Sequence, residues 1–328
     1  MPEDDGLRRE NKNLHDDGQA HEQATKEHGA DTQGNRPLFP YWLSKAGVSN
    51  VRKPLVIKRN GRLVHITAHI SAFVDLPSHL KGTHMSRNLE IINDVIDTSV
   101  REEITSLEGF CLACCRRLLE QHEYATMAGT VCTGDYFLER LNPSGRKTIE
   151  NYTIEAEGRI EKGGNAKKSI SVTSTGMSAC PCAMENVAEI LEKEYSISRC
   201  NLEGMPLITH NQRNIATLKA ELPVAVNIDA DHLIDIMDSS FSAPTYEILK
   251  RSDEAKVVFQ AHSSPKFVED IVRAMLEKFV KRYSHLAKEH PGILITARSI
   301  AEESIHKHNA FAERTATLGE LVEEIAKN

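Results

Sequence analysis

The sequence lacks an uninterrupted apolar run near the roughly 20 residues that a membrane-spanning helix needs. Its first residues, Met-Pro-Glu-Asp-Asp, contain neither the basic segment nor the apolar core of an export signal. The cysteines number seven, and an odd number does not suit a framework of disulfide bonds. These absences predict a soluble protein of the reducing cytoplasm, in which thiols are free for chemistry or metal binding.

Composition and net charge limit the kinds of ligand that the protein is expected to bind and the number of its domains. A net charge of -7 argues against a general nucleic-acid binder but permits a local basic pocket for one phosphorylated ligand. The 328 residues, 40% apolar, suffice for about two domains. Residues 1–36 hold almost no large apolar side chain, so we predict a disordered polar tail there. Two folded units are then expected, at residues 37–170 and 171–328.

Alternating and helical patterns in the first half predict an α+β fold. Apolar residues alternate from Val64 to Leu76, directly after an Asn-Gly turn signal. Further elements are predicted as helices at residues 89–100 and 104–122 and strands at 124–141 and 149–160. A strand pair, a helix pair and a second strand pair are typical of antiparallel hairpins and not of a βαβ array.

The second half shows a similar order of elements, which suggests a duplicated fold. A strand through Ile170 and Val172 is expected to end near Gly176, and another opens at residue 209. The remaining elements are predicted as helices at 183–195, from Asp229, at 244–250, from Ser264 and from Leu318, and strands at 256–260 and 293–298.

Two cysteines separated by one proline follow the strand that contains Ile170. The proline fixes its own φ and favours an extended Cys180, so we expect the two sulfurs to be held apart. Such an arrangement suits one thiolate on a metal and a second thiol, Cys182, beside a substrate. The alternative is that both are buried small hydrophobic residues.

Two other segments combine residues of possible function. Lys81, His84 and Arg87 lie in a short loop before a predicted helix, where they indicate either an anion site or a solvated basic turn. The predicted helix at 104–122 carries three cysteines, which are interpreted as core residues because no second pair lies at zinc-ribbon spacing. These three are Cys111, Cys114 and Cys115.

Six motifs, taken in order along the chain, resemble the GTP cyclohydrolase type IB family. They are Lys81-Gly-Thr-His-Met-Ser-Arg87, Cys180-Pro-Cys182, Thr209-His-Asn-Gln-Arg213, Leu249-Lys-Arg-Ser-Asp-Glu254, Pro265-Lys-Phe-Val-Glu-Asp270 and Glu303-Ser-Ile-His-Lys-His308. The likeness covers about residues 45–312. It implies the tunnelling fold, or T-fold, with two tandem ββααββ units whose antiparallel sheets associate into barrels. It also implies a homo-oligomer, a dimer or tetramer, with active sites between subunits.

The resemblance implies a reaction in which GTP is hydrated at C8, formate leaves and the ribose recloses to give a dihydropterin. The long segment between Cys182 and His210 is similar to the archaeal branch, which forms 7,8-dihydroneopterin 2',3'-cyclic phosphate as the first step of methanopterin synthesis. The bacterial branch, which forms the triphosphate for folate synthesis, stays open. Two further alternatives are a non-catalytic metal-binding scaffold of the same fold and an enzyme in which Cys182 is a covalent nucleophile, as in the related nitrile reductases.

The resemblance also implies a metal site. Cys180, His210 and Glu254 match the ligands of one divalent metal per subunit, which in the archaeal branch is Fe(II). One thiolate, one imidazole and one carboxylate leave a coordination position open for water, as catalytic sites do. Because these mixed ligands do not select among Fe, Zn and Mn, zinc and manganese remain alternatives.

Other residues match positions around the substrate. Cys182 matches a proton donor or relay beside C8, and Glu303 matches a position near the metal. His306 and His308 are two residues apart and would share a face if the chain is extended there, giving paired groups for proton transfer near neutral pH.

The nucleotide itself would contact two further segments. Glu269, expected in the first turns of a long helix, matches the residue that accepts two N–H bonds from guanine. The cations of the early loop, Lys81, His84 and Arg87, are candidates for the triphosphate on the basis of their charge.

Overall fold

The computed structural model describes residues 31–59, 62–102, 106–199 and 204–327. Most of the predicted polar tail and the Asn-Gly turn therefore lie outside the described residues. Within these ranges the strands are β1 (Leu43–Arg59), β2 (Arg62–Leu76), β3 (Met127–Leu141), β4 (Lys147–Glu161), β5 (Ala166–Ala179), β6 (Asn211–Pro223), β7 (Ala243–Pro244), β8 (Leu294–Ala301) and β9 (Ala310–Thr317). The helices are α1 (Met85–Glu102), α2 (Leu107–Gln121), α3 (Pro181–Tyr195), α4 (Ala230–Asp238), α5 (Arg251–Ser263), α6 (Val268–Tyr283) and α7 (Leu318–Lys327).

All of the described strands belong to one antiparallel sheet. Its order is β1-β2-β3-β4-β5-β6-β8-β9, and the short β7 pairs with β5. The first half is a ββααββ unit, and the second half repeats the order of strand pair, helices and strand pair with three additional helices and the short strand β7. The predicted α+β class with antiparallel ββααββ units is confirmed. One continuous hydrophobic core includes side chains from both halves, and the division near residue 170 stays a prediction.

Helices cover one face of this sheet because strands and helices each bury one apolar side. Along β4, Tyr152, Ile154 and Ala156 are buried while the residues between them face outward. Gly158 on the same strand lets α2 approach closely, since a Cβ there would lie 2.8 Å from backbone atoms of Cys111 and Leu112. No helix within the described residues is long and apolar enough to cross a membrane.

The structure corrects several predicted elements in the second half. Residues 256–260 belong to α5 instead of a strand, and residues 245–250 form no helix. The strand β9 was not predicted. Strand β5 continues past Gly176 to Ala179, and the ring of Phe241 occupies the space beside this glycine where a side chain would lie.

The cysteines of α2 are core residues, as predicted. Cys111, Cys114 and Cys115 are fully buried, and so is Cys132 on β3. Burial raises the pKa of the Cys115 thiol to about 11 and the pKa of Cys132 to about 12. It also raises the pKa values of Cys111 and Cys114 well above their usual range. These thiols are therefore protonated and poorly nucleophilic at neutral pH.

We expect these four thiols to resist alkylation in the native protein. A raised pKa lowers the fraction of each thiol that is present as the reactive thiolate, and burial also blocks access of the reagent. Iodoacetamide labelling in mildly alkaline buffer, followed by peptide mass spectrometry, measures each site. The exposed Cys182 is the internal control, and the denatured protein should label throughout. Labelling of the four at the rate of Cys182 would contradict the buried arrangement.

Candidate active site

The Cys-Pro-Cys motif forms the junction between β5 and α3. Cys180 is the N-cap of α3, Pro181 is its first residue, and the Cys180 sulfur accepts a hydrogen bond from the Ala183 N–H at 3.4 Å. Cys182 lies in the first turn and is exposed, whereas Cys180 is half-buried. The two sulfurs thus occupy different environments.

Two hydrogen bonds hold Cys180 beside His210. The Cys180 N–H donates to the carbonyl oxygen of His210 at 3.1 Å, and the Thr209 hydroxyl donates to the Cys180 carbonyl oxygen at 2.6 Å. The first bond extends the β5–β6 ladder by one residue beyond its last strand pair, Ala179 and Asn211. Two of the three predicted metal ligands are therefore neighbours at one end of the sheet.

The imidazole of His210 is surrounded by polar groups and largely buried, with 12% of its side chain exposed. Its Nδ1 lies 2.9 Å from Oε1 of Gln212 and 3.6 Å from Oε2 of Glu303. The Glu303 side chain is only 10% exposed, and its Oε1 accepts a hydrogen bond from Gln212. Its buried Oε2 has no hydrogen-bond partner among the described residues.

His306 and His308 lie in the loop between β8 and β9. Their rings stack at 5.2 Å between centroids, and the His306 ring meets the His210 ring edge-on at 6.3 Å. The expectation that they share a face assumed an extended chain, and the chain instead bends at residues 304–308. The bend itself brings the two rings together beside His210.

Sequence reasoning missed His262, which lies near the end of α5. Its Nε2 is 3.2 Å from Nδ2 of Asn211 and 3.3 Å from the carbonyl oxygen of Thr209. Nε2 can either donate to the Thr209 carbonyl oxygen or accept from the Asn211 amide, so His262 contacts the two residues that flank His210. A single histidine after a segment that looked like a strand gave no signal for this contact.

Glu254 lies in the first turn of α5 and is exposed. This end of α5 is fixed to the β3–β4 turn by a hydrogen bond from Ser144 to Asp253 and one from Lys256 to the Pro143 carbonyl oxygen. Within the described part of the chain, no three His, Cys, Asp or Glu side chains are grouped so that they could hold a metal ion. The ligand set of Cys180, His210 and Glu254 stays a prediction.

Glu269 lies in the first turn of α6, as predicted, and is exposed. The start of this helix is fixed beside the cysteine junction, because the Lys266 N–H donates to the Ala179 carbonyl oxygen at 3.0 Å. The Lys266 ammonium group also donates to the carbonyl oxygens of Ser240 and Phe241, at 3.0 and 2.8 Å. The carboxylate of Glu269 is therefore presented on a firmly anchored helix end.

The loop that holds Lys81, His84 and Arg87 follows β2. Lys81 is exposed, Nε2 of His84 lies 3.7 Å from Oδ1 of Asp31, and the Arg87 guanidinium donates to the Gln121 carbonyl oxygen at 3.2 Å. Two of the three cations thus have partners within the chain. The loop is structured by these contacts, and its role toward phosphate stays a prediction.

This loop and Cys180 lie at opposite ends of the sheet. The end of β2 and the start of β5 lie at the same end of the sheet, because Val74 pairs with Ala128, Ala128 with Ile160 and Ile160 with Ala166. Cys180 follows the far end of β5, a strand of 14 residues that spans roughly 40 Å. One chain therefore does not bring the predicted triphosphate residues to the predicted metal ligands.

Comparison with known proteins agrees with the motifs. The sequence profile of the family described as Type I GTP cyclohydrolase folE2 matches residues 30–312. GTP cyclohydrolase MptA 1 of Methanocella arvoryzae is 38% identical over 307 residues, which cover 91% of this chain and 96% of that protein. GTP cyclohydrolase MptA of Methanothermobacter thermautotrophicus is 41% identical over 307 residues, which cover 90% and 95%.

Among solved structures, uricase from Arthrobacter globiformis aligns with a TM-score of 0.49 and 11% identity, over 84% of this chain and 93% of that chain. The profile match spans most of the chain, and the relatives match over nearly their whole length. The chain is a member of the type I GTP cyclohydrolase folE2 family.

Proposed function

We propose that this GTP cyclohydrolase hydrolyses C8 of GTP, releases formate and forms 7,8-dihydroneopterin 2',3'-cyclic phosphate, the first step of methanopterin biosynthesis. The observation that carries the proposal is the grouping of Cys180, His210, Glu303 and His306 at one end of the sheet. Relatives named MptA, 36–41% identical over about 90% of the chain, favour the cyclic phosphate over the triphosphate.

The matched motifs lead us to propose that Cys180, His210 and Glu254 bind one divalent metal per subunit, Fe(II) in preference to Zn or Mn. Cys180 offers a sulfur at the N-cap of α3, and the contact of His210 Nδ1 with Gln212 leaves Nε2 as the proposed ligand atom. The carboxylate of Glu303 lies beside the same imidazole, with its buried Oε2 3.6 Å from Nδ1 of His210. Glu254 is the proposed third ligand. When bound, such a metal supplies Lewis-acid activation of water at neutral pH.

The remaining candidate residues transfer protons or bind the guanine ring. Cys182 is exposed at the first turn of α3, where its thiol donates or relays a proton at C8. The stacked imidazoles of His306 and His308 accept and donate protons during ring opening. Glu269, in the first turn of α6, accepts two N–H bonds from guanine.

The substrate site is completed by a second copy of the chain. Lys81, His84 and Arg87 lie at the end of the sheet opposite Cys180, a distance of roughly 40 Å that exceeds the length of a nucleotide. We therefore propose a homo-oligomer, a dimer or tetramer, in which the loop of one subunit binds the triphosphate of GTP held by another. Free thiols at the site suit the reducing cytoplasm expected from the sequence.

Product analysis tests this proposal directly. Anaerobic protein with Fe(II) and GTP should release formate and a species that fluoresces as a pterin after oxidation. A product that carries one cyclic phosphate is expected, with the other phosphates set free. A product that retains three phosphates would indicate the bacterial-type reaction. Metal binding without formate would indicate a non-catalytic scaffold.

A further inference from the structure

We propose that Lys266 is a positioning residue that holds Glu269 at a fixed place beside Cys180 and thereby sets the preference for guanine over other purine bases. The inference rests on the proposed function, in which Glu269 accepts the N–H groups of guanine. Lys266 directly precedes the N-cap of α6 and is half-buried. Its backbone and its side chain contact two different segments of the chain.

The backbone of Lys266 ties the start of α6 to the end of β5. Its N–H donates to the Ala179 carbonyl oxygen at 3.0 Å, one residue before Cys180. The first turn of α6 is closed by the Asp270 carboxylate, which accepts a hydrogen bond from the Phe267 N–H at 3.1 Å. The proposed guanine acceptor lies in this same turn, so its backbone is fixed relative to the cysteine junction.

The side chain of Lys266 binds the segment that follows α4. Its ammonium group donates to the carbonyl oxygens of Ser240 and Phe241, at 3.0 and 2.8 Å. Both of these residues are buried. Burial lowers the pKa of the Lys266 ammonium group, and the Asp270 carboxylate partly offsets this effect. Loss of the ammonium group would remove a hydrogen-bond donor from two carbonyl oxygens in a buried segment, so the segment and the start of α6 would separate.

The segment after α4 is itself bound to the end of β5. The Ser242 N–H donates to the Met177 carbonyl oxygen at 3.0 Å, and the Ala179 N–H donates to the Ser242 hydroxyl at 3.3 Å. Lys266 therefore closes a ring of hydrogen bonds. Its backbone reaches the strand end directly, and its side chain reaches the same strand end through the segment after α4.

This fixed position bears on the choice of base. Guanine differs from hypoxanthine by its 2-amino group, and one carboxylate can accept from the ring N–H and from the 2-amino group together. Both bonds form only when the two carboxylate oxygens face the edge of the base, because hydrogen bonds weaken steeply when they are bent. A displaced Glu269 would keep one bond and lose the other. A site that loses the bond to the 2-amino group no longer selects guanine.

The experiment compares Lys266→Met with Lys278→Met as a matched control. The Lys278 ammonium group donates to the carbonyl oxygen and, at 3.0 Å, to the hydroxyl of Ser239, which is the C-cap of α4. The control therefore loses the same kind of bond between the same two helices. Lys278 lies about 13 Å along α6 from Glu269, too far to fix the first turn.

The readout is the ratio of kcat/KM for GTP to kcat/KM for inosine triphosphate, which lacks the 2-amino group. Formate release by the Fe(II)-reconstituted protein measures both values. Their ratio is independent of the fraction of active protein, because both substrates are measured in one preparation. Wild type and Lys278→Met should prefer GTP about 10- to 100-fold, as expected for one hydrogen bond to a charged group, whereas Lys266→Met should prefer it about threefold or less.

Lys266→Gln, whose neutral amide on a shorter chain cannot reach both carbonyl oxygens, should also lose the preference and decides the matter if the methionine variant does not fold. An unchanged preference in either variant of Lys266, or an equal loss in Lys278→Met, would overturn the inference. A wild type without preference, or a Glu269→Gln variant that keeps it, would instead contradict the proposed role of Glu269. Hydrogen exchange at the start of α6, expected to be faster in Lys266→Met than in Lys278→Met, then tests the anchoring without substrate.

Discussion

Replacement of Cys180 by alanine should remove both the metal and the activity, whereas Cys182→Ala should keep the metal and lose only the activity. Cys180 is half-buried, caps α3 and donates a backbone hydrogen bond to His210. This fixed position beside a second predicted ligand suits a metal ligand. Cys182 is exposed in the first turn of the helix, with the Asn186 amide nitrogen 3.9 Å from its sulfur, and this exposure suits proton transfer to a substrate.

The two variants should differ by large factors. Loss of a direct ligand should weaken metal affinity by more than about 100-fold, since outer partners of ligands alone contribute about 10- to 100-fold. Loss of the proton-transfer group should lower kcat about 10²- to 10⁴-fold. Metal content after anaerobic reconstitution and formate release under saturating GTP measure these effects. Equal metal loss in both variants would contradict the assignment of roles.

Mixing two inactive variants should restore activity if each site uses residues of two subunits. Lys81→Glu alters the loop after β2, and Cys182→Ala alters the junction at the opposite end of the sheet. Charge reversal at a phosphate contact should lower kcat/KM at least about 10- to 100-fold. In oligomers assembled at random from equal amounts, about one quarter of the sites should contain both intact parts.

Co-expression with two affinity tags provides the mixed oligomers, and activity per site is compared with each parent. The matched control combines Cys182→Ala with His308→Ala, which alter the same end of the sheet and should not complement. Recovery in this control, or its absence in tagged mixed oligomers of Lys81→Glu and Cys182→Ala, would contradict the arrangement between subunits.

Local residue patterns in the sequence were sufficient to predict the strands and helices whose buried residues recur at a regular spacing. The alternation through Val64 to Leu76 gave β2, and the apolar stripe of Ile271, Met275 and Phe279 gave α6, because each buries one regular face against the common core. The cysteines of α2 were assigned to the core on a different ground, because no second cysteine pair lies at zinc-ribbon spacing.

Patterns were insufficient where burial was not periodic. Helix α5 buries only Asp253, Val257 and Ala261, and its exposed Val258 and Phe259 complete an apolar run that looked like a strand. Strand β9 turns mainly alanines inward, so it shows no alternation of large apolar residues with polar ones. In both elements, packing against neighbouring parts of the sheet outweighed local propensity.

The sequence by itself determined the fold class and the family and singled out the candidate site residues, because all three depend on residue types at fixed spacing. The tertiary structure decided how those residues face one another. Only the paired ends of β5 and β6 place Cys180 beside His210, and only the folded β8–β9 loop brings Glu303 to the Gln212 amide. The strand register places the basic loop and the cysteines at opposite ends of the sheet, because antiparallel strands alternate in direction. This separation depends on the pairing of four strands and cannot be read from any short segment of the sequence.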